Sequence, residues 1–190
     1  MKVAFITLGC RTNQHDTAEM QTLLEQSGFE VVNQADTADI YVVNTCTVTS
    51  KSDYRSRLAV KKSLGINENA LVVFTGCYAQ TQPEKAETLP GVGLILGNAN
   101  KQEIVNAINI AQKSSSALNS KPIKHMSDIQ MPWEFKPLAV NQFQGKTKAL
   151  IKVQTGCDES CSFCTVVKAR GKSISDTRAN ILSNVRNAVS

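Results

Sequence analysis

Short, almost wholly apolar segments alternate with helix-patterned ones from Val3 to Gln112, and this rhythm restricts the fold more than any other feature of the chain. Val3–Leu8, Phe29–Val32, Ile40–Val43, Ala70–Phe74 and Val92–Leu96 read as strands. Asn13 to Ser27 has helical spacing, with Ala18, Leu23 and Leu24 as apolar positions and Gly28 as a stop. Ser50 to Leu64, closed by Gly65, is a charged helix; Pro83 opens another near its first turn, and Lys101–Gln112 is the last. Strands without polar alternation are buried on both faces, so the expectation is α/β: a doubly wound parallel sheet covered by helices on each side.

Beyond this repeat the pattern changes. Lys113–Pro122 has the composition of a linker, Ser114–Ser116 included. Ile123–Gly145, with Pro132, Trp133 and Pro137, has no assignable pattern, and Trp133 could anchor the linker to either domain. A second folded piece is expected from Lys146, with a strand at Lys148–Val153 and a helix at Thr177–Val189 capped by Asp176. The helix carries Ile181, Leu182, Val185 and Val189 on one face, which one strand and one helix cannot bury. The expected division is therefore 1–112, a linker over 113–145, and 146–190 as the truncated start of a second domain.

The chain has 190 residues, 42% hydrophobic and 19% charged, and a packed core follows from that balance. Its apolar runs are too short to span a bilayer, and the N-terminal stretch lacks the length and cleavage site of a signal peptide. A cytoplasmic protein is expected. There, six cysteines are better read as metal ligands or catalytic thiols than as disulfides.

Three of them, Cys157, Cys161 and Cys164, lie in Gly156-Cys-Asp-Glu-Ser-Cys-Ser-Phe-Cys164 with the spacing C-x3-C-x2-C. Thiolates so close together suit an iron–sulfur cluster, which normally takes four; three leave one iron open to substrate or cofactor. Zinc with a distant fourth ligand, or free thiols, are the alternatives. The other three, Cys10, Cys46 and Cys77, are more than thirty residues apart, yet each directly follows a strand candidate. Carboxyl ends of parallel strands lie along one edge, where ligands bind, so the three can converge on one metal centre. Gly9 and Gly76 would let backbone approach it closely. Alternatively, each is a small buried hydrophobe.

The remaining polar features weigh less. His15 and His125 have no patterned neighbours and read as surface or loop residues. Lys51, Arg55, Arg57, Lys61 and Lys62 form a basic helix face, equally suited to nucleic-acid phosphates and to water. The net charge of +5 permits a polyanionic partner without requiring one.

The loop Cys157–Cys164, with Phe163 before its last cysteine, resembles the signature of radical S-adenosylmethionine enzymes. Taken with Thr7-Leu8-Gly9-Cys10-Arg11-Thr12-Asn13-Gln14, Asn44-Thr45-Cys46-Thr47-Val48-Thr49, Gly76-Cys77-Tyr78-Ala79-Gln80 and Ala169-Arg170-Gly171, the chain resembles the tRNA methylthiotransferases, most of all the branch acting on N6-threonylcarbamoyladenosine. The resemblance implies two [4Fe–4S] clusters: one on Cys157, Cys161 and Cys164 that binds S-adenosyl-L-methionine, and an auxiliary one on Cys10, Cys46 and Cys77 that supplies or carries sulfur. It implies a 5′-deoxyadenosyl radical that abstracts hydrogen from C2 of the modified adenosine beside the anticodon, and methyl transfer from a second S-adenosylmethionine. It also implies tRNA as substrate, an electron donor such as flavodoxin or ferredoxin, and a β/α barrel whose first strand precedes the cysteine loop.

Two departures stand out. Val167 and Lys168 occupy positions where the family pattern has proline and often tyrosine. The chain also stops at Ser190, while such a barrel needs about 200 residues or more. An N-terminal portion, inactive in methylthiolation by itself, is therefore expected. A non-catalytic iron–sulfur electron-transfer protein and an inactive gene remnant are the other readings.

Overall fold

The expected strand–helix alternation is realised as one six-stranded, all-parallel sheet. The computed structural model describes residues 1–114, 121–135, 137–138, 140 and 149–189. Strands β1 (Lys2–Thr7), β2 (Glu30–Val32), β3 (Ile40–Thr45), β4 (Leu71–Gly76), β5 (Val92–Leu96) and β6 (Ile123–His125) are ordered β2-β1-β3-β4-β5-β6. Helices α1 (Arg11–Gln26), α2 (Ser50–Ile66), α3 (Cys77–Thr81), α4 (Pro83–Glu87) and α5 (Ile104–Ser114) connect them, the last preceded by a 3-10 turn at Lys101–Glu103.

Strand alternation sorts the core into two layers. In β3, Ile40 and Val42 face Met20 and Leu24 of α1 and Ile104 and Ile108 of α5. Val43, with Val72 and Phe74 of β4, faces Ala59 and Val60 of α2 and Tyr78 of α3. Every residue of β3 is buried, and two-sided burial is why the strand reads as an unbroken apolar run. The winding direction reverses between β1 and β3, so a crevice opens at the carboxyl ends of these two neighbours.

The sixth strand was not legible. Ile123–His125, in the stretch without an assignable pattern, pairs parallel with Leu94–Leu96. Three residues are too few to show a periodicity. Residues 115–120 of the expected linker lie outside the described residues.

Residues 149–189 form a smaller unit: β7 (Gln154–Thr155), α6 (Val166–Arg170), β8 (Ile174–Ser175) and α7 (Arg178–Val189). Lys148 of the expected strand Lys148–Val153 lies outside the described residues, and 149–153 are not strand; the ladder starts later, at Gln154, antiparallel to β8. The ladder is short because β8 offers only Ile174 and Ser175 as partners; Lys152 meanwhile turns to the first unit, its ammonium 2.7 Å from the Asp16 carboxylate of α1. The cap of α7 also differs from expectation. Thr177, not Asp176, accepts the Asn180 amide N–H through its hydroxyl at 3.2 Å, while Asp176 accepts from the Thr177 amide and the Asn180 side chain. As expected, Leu182, Val185 and Val189 are exposed.

Candidate metal centre at the carboxyl edge of the sheet

Each cysteine of the first trio follows a strand of the sheet interior: Cys10 after β1, Cys46 after β3, Cys77 after β4. These strands are consecutive neighbours, with Thr7 opposite Asn44 and Thr45 opposite Gly76. Their register therefore delivers all three thiols to one edge, flanking the crevice between β1 and β3. Cys10 occupies the N-cap position of α1 and Cys77 is the first residue of α3. Cys46 is buried, Cys77 half-buried and Cys10 exposed.

The backbone around these thiols leaves no room for larger residues. A Cβ on Gly9, where φ is +99°, would lie 2.7 Å from Cys46 Cβ and 2.9 Å from its Sγ. A Cβ on Gly76, at φ +96°, would run into the Thr45 carbonyl and lie 2.7 Å from Asn44 Oδ1. Both positions demand glycine for conformation and for space.

Asn13, one turn into α1, ties the edge together. Its Nδ2 donates to the carbonyls of Leu8 at 2.7 Å and Thr45 at 2.8 Å, the residues just before Gly9-Cys10 and Cys46. Asn44 donates to the Asn13 carbonyl at 2.9 Å and the Thr17 hydroxyl at 3.0 Å. Thr45 donates to the Thr75 carbonyl at 2.5 Å, and Thr75 to that of Leu96 at 2.8 Å. Polar side chains thus satisfy carbonyls where the parallel ladders end.

Beside this edge lies a buried ionic cluster that sequence reasoning missed. The Asp16 carboxylate, 1% exposed, meets Lys101 Nζ at 2.6 Å, Lys152 Nζ at 2.7 Å and Arg170 Nη2 at 3.0 Å. Burial alone would raise the Asp16 carboxyl, but the charges of Lys101, Arg170 and Lys152 hold it well below the usual carboxylate range. Burial lowers Lys101, against the attraction of Asp16. Burial also opposes the Arg170 charge, yet Asp16, Cys77 and Cys10 more than offset it and raise the guanidinium further. The Cys10 thiol would be raised by burial; hydrogen bonds at Asn13 and Thr12, with the Arg170 charge, bring it below the ordinary thiol value. The residues of this cluster lie far apart in sequence, so no local motif announces it.

His15 departs from expectation, whereas His125 is partly exposed on the edge strand. His15 is 3% exposed, on α1, with Nδ1 3.4 Å from Glu19 Oε2. His125 sits in β6 with Nε2 2.5 Å from Glu103 Oε2. His15, Asp16 and Glu19 are the one set of potential ligands whose donor atoms lie within 4.8 Å of one another among the described residues. Three cations already occupy Asp16, which leaves it poorly disposed to a metal ion. Neither cysteine trio closes that far. Three thiols held wider than a single ion requires, around a glycine that keeps the space clear, suit a multi-iron cluster better than zinc.

The second trio lies in the loop between β7 and α6. Gly156, at φ +75°, has no room for a Cβ beside the Lys172 carbonyl. The Cys157 amide donates to the Gly171 carbonyl at 3.2 Å, the Cys164 amide to that of Cys161 at 3.1 Å, and the Val166 amide to Cys164 Sγ at 3.5 Å. Cys157, Cys161, Phe163, Cys164 and Lys168 line an open cavity of about 620 Å³, and Phe163 is 88% exposed at its rim.

The two sites are joined. Helix α6, which follows the cysteine loop, packs on α3, which begins at Cys77. Asn98 donates to the Ala169 carbonyl at 2.6 Å, and Arg170 reaches back to Asn13 Oδ1 at 2.7 Å. Trp133 lies beside the ionic cluster, against residues of both units. It packs edge-on against Phe135, and both line a small void with Asp16, Glu19, Lys101 and Lys152. The basic face of α2 is exposed throughout, with Arg57 donating to the Tyr78 hydroxyl at 3.3 Å. No helix among the described residues is long and apolar enough to cross a membrane.

Comparison with known proteins agrees with this arrangement. The chain is 35% identical over 169 residues, 89% of its length, to "Threonylcarbamoyladenosine tRNA methylthiotransferase MtaB" of Bacillus subtilis. It is 41% identical over 173 residues, 90% of its length, to the protein of the same name from Aquifex aeolicus. Against "tRNA-2-methylthio-N(6)-dimethylallyladenosine synthase" of Aquifex aeolicus the identity is 30% over 190 residues, 96% of the chain. The chain spans 36% of the first relative's length and 41% of each of the other two. Residues 2–97, half of the chain and the sheet through β5, match a family model, and the chain accordingly belongs to the family described as Uncharacterized protein family UPF0004.

Proposed function

We propose that this chain is the cluster-bearing N-terminal portion of a radical S-adenosylmethionine tRNA methylthiotransferase, which adds a methylthio group to C2 of N6-threonylcarbamoyladenosine beside the anticodon. The observation that carries the reading is the placement of Cys10, Cys46 and Cys77 on three adjacent strand ends, with the Cys157–Cys164 loop docked next to them through α6. In Aquifex aeolicus the threonylcarbamoyladenosine enzyme is the nearer relative, at 41% identity against 30% for the dimethylallyladenosine enzyme, which favours that substrate.

In this reading Cys157, Cys161 and Cys164 hold a [4Fe–4S] cluster that binds S-adenosyl-L-methionine, and Cys10, Cys46 and Cys77 hold the auxiliary one. When bound, these groups supply one-electron chemistry and sulfur. The chain's own residues orient and shield them. Gly9 and Gly76 keep space at the edge, Asn13 fixes the Cys10 and Cys46 loops, and Arg170 sets the loop helix against the sheet. Residues 146–190 are then the start of the radical domain, and the N-terminal unit extends past 112 to include β6. The partners are tRNA and a small electron donor of the flavodoxin or ferredoxin kind, in the cytoplasm.

The test is iron and sulfide analysis after anaerobic reconstitution. About eight iron and eight sulfide per chain are expected, with Cys161→Ala removing half of each and Cys46→Ala the other half. Iron content unmoved by replacing Cys157, Cys161 and Cys164 together, or Cys10, Cys46 and Cys77 together, overturns the corresponding site.

A further inference from the structure

The Asp16 cluster is too costly to be incidental. Three cations, Lys101, Lys152 and Arg170, are 7%, 11% and 9% exposed. They face two carboxylates, Asp16 and Glu19, the latter 4.0 Å from Lys152 and also beside His15. The lysine and arginine side chains of the group thus outnumber its carboxylates by one. Desolvating an unmatched charge is expensive unless an opposite one lies near. The surplus lies against the first trio: Arg170 bonds Asn13 Oδ1, whose amide nitrogen holds the Leu8 and Thr45 carbonyls beside Cys10 and Cys46, and its helix packs on α3, which begins at Cys77. The cluster also spans the two units, because Lys101 belongs to the sheet domain while Lys152 and Arg170 come from the segment carrying the other cysteine loop.

We propose that Arg170, seated on Asp16 and Asn13, is a positioning residue for the first cysteine trio: it docks the Cys157–Cys164 loop helix on the sheet edge and supplies the positive charge that an anionic cluster on Cys10, Cys46 and Cys77 requires, favouring its reduced form. This rests on the ligand assignment above. Its chemistry is electrostatic. Thiolate-ligated iron–sulfur clusters are anions that gain a further negative charge on one-electron reduction by an external reductant, so a buried cation alongside stabilises the reduced state more than the oxidised one. Arg170 suits both tasks, since one nitrogen reaches Asn13 Oδ1 at 2.7 Å and Asp16 Oδ2 at 3.0 Å, and its charge is permanent.

The experiment uses the full chain with Cys157, Cys161 and Cys164 all replaced by alanine, so that iron reports the first site alone. Into it are placed Arg170→Gln, Arg170→Lys and, as a control of equal charge change, Lys168→Gln, which removes an exposed cation of the same helix. Reconstituted proteins are titrated spectroelectrochemically. Arg170→Gln is expected to lower the equilibrium constant for reduction at least tenfold, which is about 59 mV more negative for a one-electron couple. Lys168→Gln should stay within twofold, and Arg170→Lys should recover most of the shift. Hydrogen exchange of the iron-free wild-type chain and its Arg170→Gln variant gives an independent readout: amides of 166–171 should exchange at least tenfold faster without Arg170, while those of β3 and β4 stay unchanged. No iron in the triple-alanine parent overturns the ligand assignment and this inference with it. Full iron with an unmoved potential, or equal shifts in the Arg170→Gln and Lys168→Gln chains, overturns this inference alone.

Discussion

Asp16→Asn is the most searching single perturbation of the sheet domain, because it removes charge while keeping volume. The native carboxylate is 1% exposed and lies 2.6 Å from Lys101, 2.7 Å from Lys152 and 3.0 Å from Arg170. An amide in its place offers one acceptor instead of two and leaves three buried cations facing one another. Removing one partner of a buried ion pair costs about 3–5 kcal/mol. Two effects limit the loss: Asn44 Oδ1 still accepts from Lys101 at 3.3 Å, and Lys101, whose ammonium burial already disfavours, can shed its proton. The expected outcome is therefore a loss of about 3 kcal/mol at pH 7, toward the lower end of that range, read from urea denaturation followed by far-ultraviolet circular dichroism. The pH dependence fixes the cause. The folded Asp16 carboxyl is depressed below the unfolded value of about 3.9, so between those values the unfolded chain binds more protons and stability rises with pH. The contribution is complete above the unfolded value and lost as pH falls through the folded one. Wild type and variant should thus differ at neutral pH and converge in acid. A loss below about 1 kcal/mol, the worth of an exposed pair, or a difference unchanged down to pH 2, would refute the reasoning.

Other outcomes follow from the same geometry. Gly76→Ala combines a backbone conformation, φ +96° and ψ −166°, that is essentially glycine-only with an overlap against the Thr45 backbone, and should lose about 2–5 kcal/mol in urea denaturation. Gly28→Ala, at φ +84° with nothing within 4 Å of the added atom, should lose only about 1–2 kcal/mol; equal losses for the two glycines would show that crowding at Gly76 is immaterial. Replacing Leu182 and Val185, 44% and 39% exposed on α7, by serine should reduce self-association in light scattering without changing the circular dichroism, since a solvent-facing apolar stripe is sticky rather than stabilising.

How much of this was legible in the sequence depended on distance along the chain. The four interior strands β1, β3, β4 and β5 announced themselves because two-sided burial demands consecutive apolar residues, as in Ile40–Val43. The placement of Cys10, Cys46 and Cys77 followed directly, since a parallel sheet puts every strand's carboxyl end on one edge. β6 escaped because three residues, Ile-Lys-His, carry no period. The strand expected at Lys148–Val153 misled because an apolar, β-branched run shows propensity, not a ladder partner: Val153 is 46% exposed, and pairing with β8 begins only at Gln154. His15 was misplaced because helix-surface polarity is judged locally, whereas the covering segment that buries it comes from much later in the chain. Leu138, for example, donates its amide to Glu19 at 2.7 Å.

Asn13 shows how a motif that reads as mere resemblance resolves into physics. In Gly9-Cys10-Arg11-Thr12-Asn13 the asparagine must lie one helical turn past the cysteine, because α1 starts at Arg11 and only its first turn overlooks the ends of β1 and β3. Its amide nitrogen spends both hydrogens on the Leu8 and Thr45 carbonyls, while its oxygen is left for Arg170. Aspartate would match the shape yet turn two donors into acceptors aimed at two carbonyl oxygens, and a buried carbonyl left unpaired costs about 1–3 kcal/mol. Glutamine would carry the same groups one methylene past the two carbonyls they now reach at 2.7 and 2.8 Å. Only asparagine both closes the loops that present Cys10 and Cys46 and offers the guanidinium of the second unit an acceptor. The same side chain therefore ties the loops of the first cysteine trio and receives the helix that follows the second, which is why residues 157 positions apart in the chain meet at one edge of the sheet.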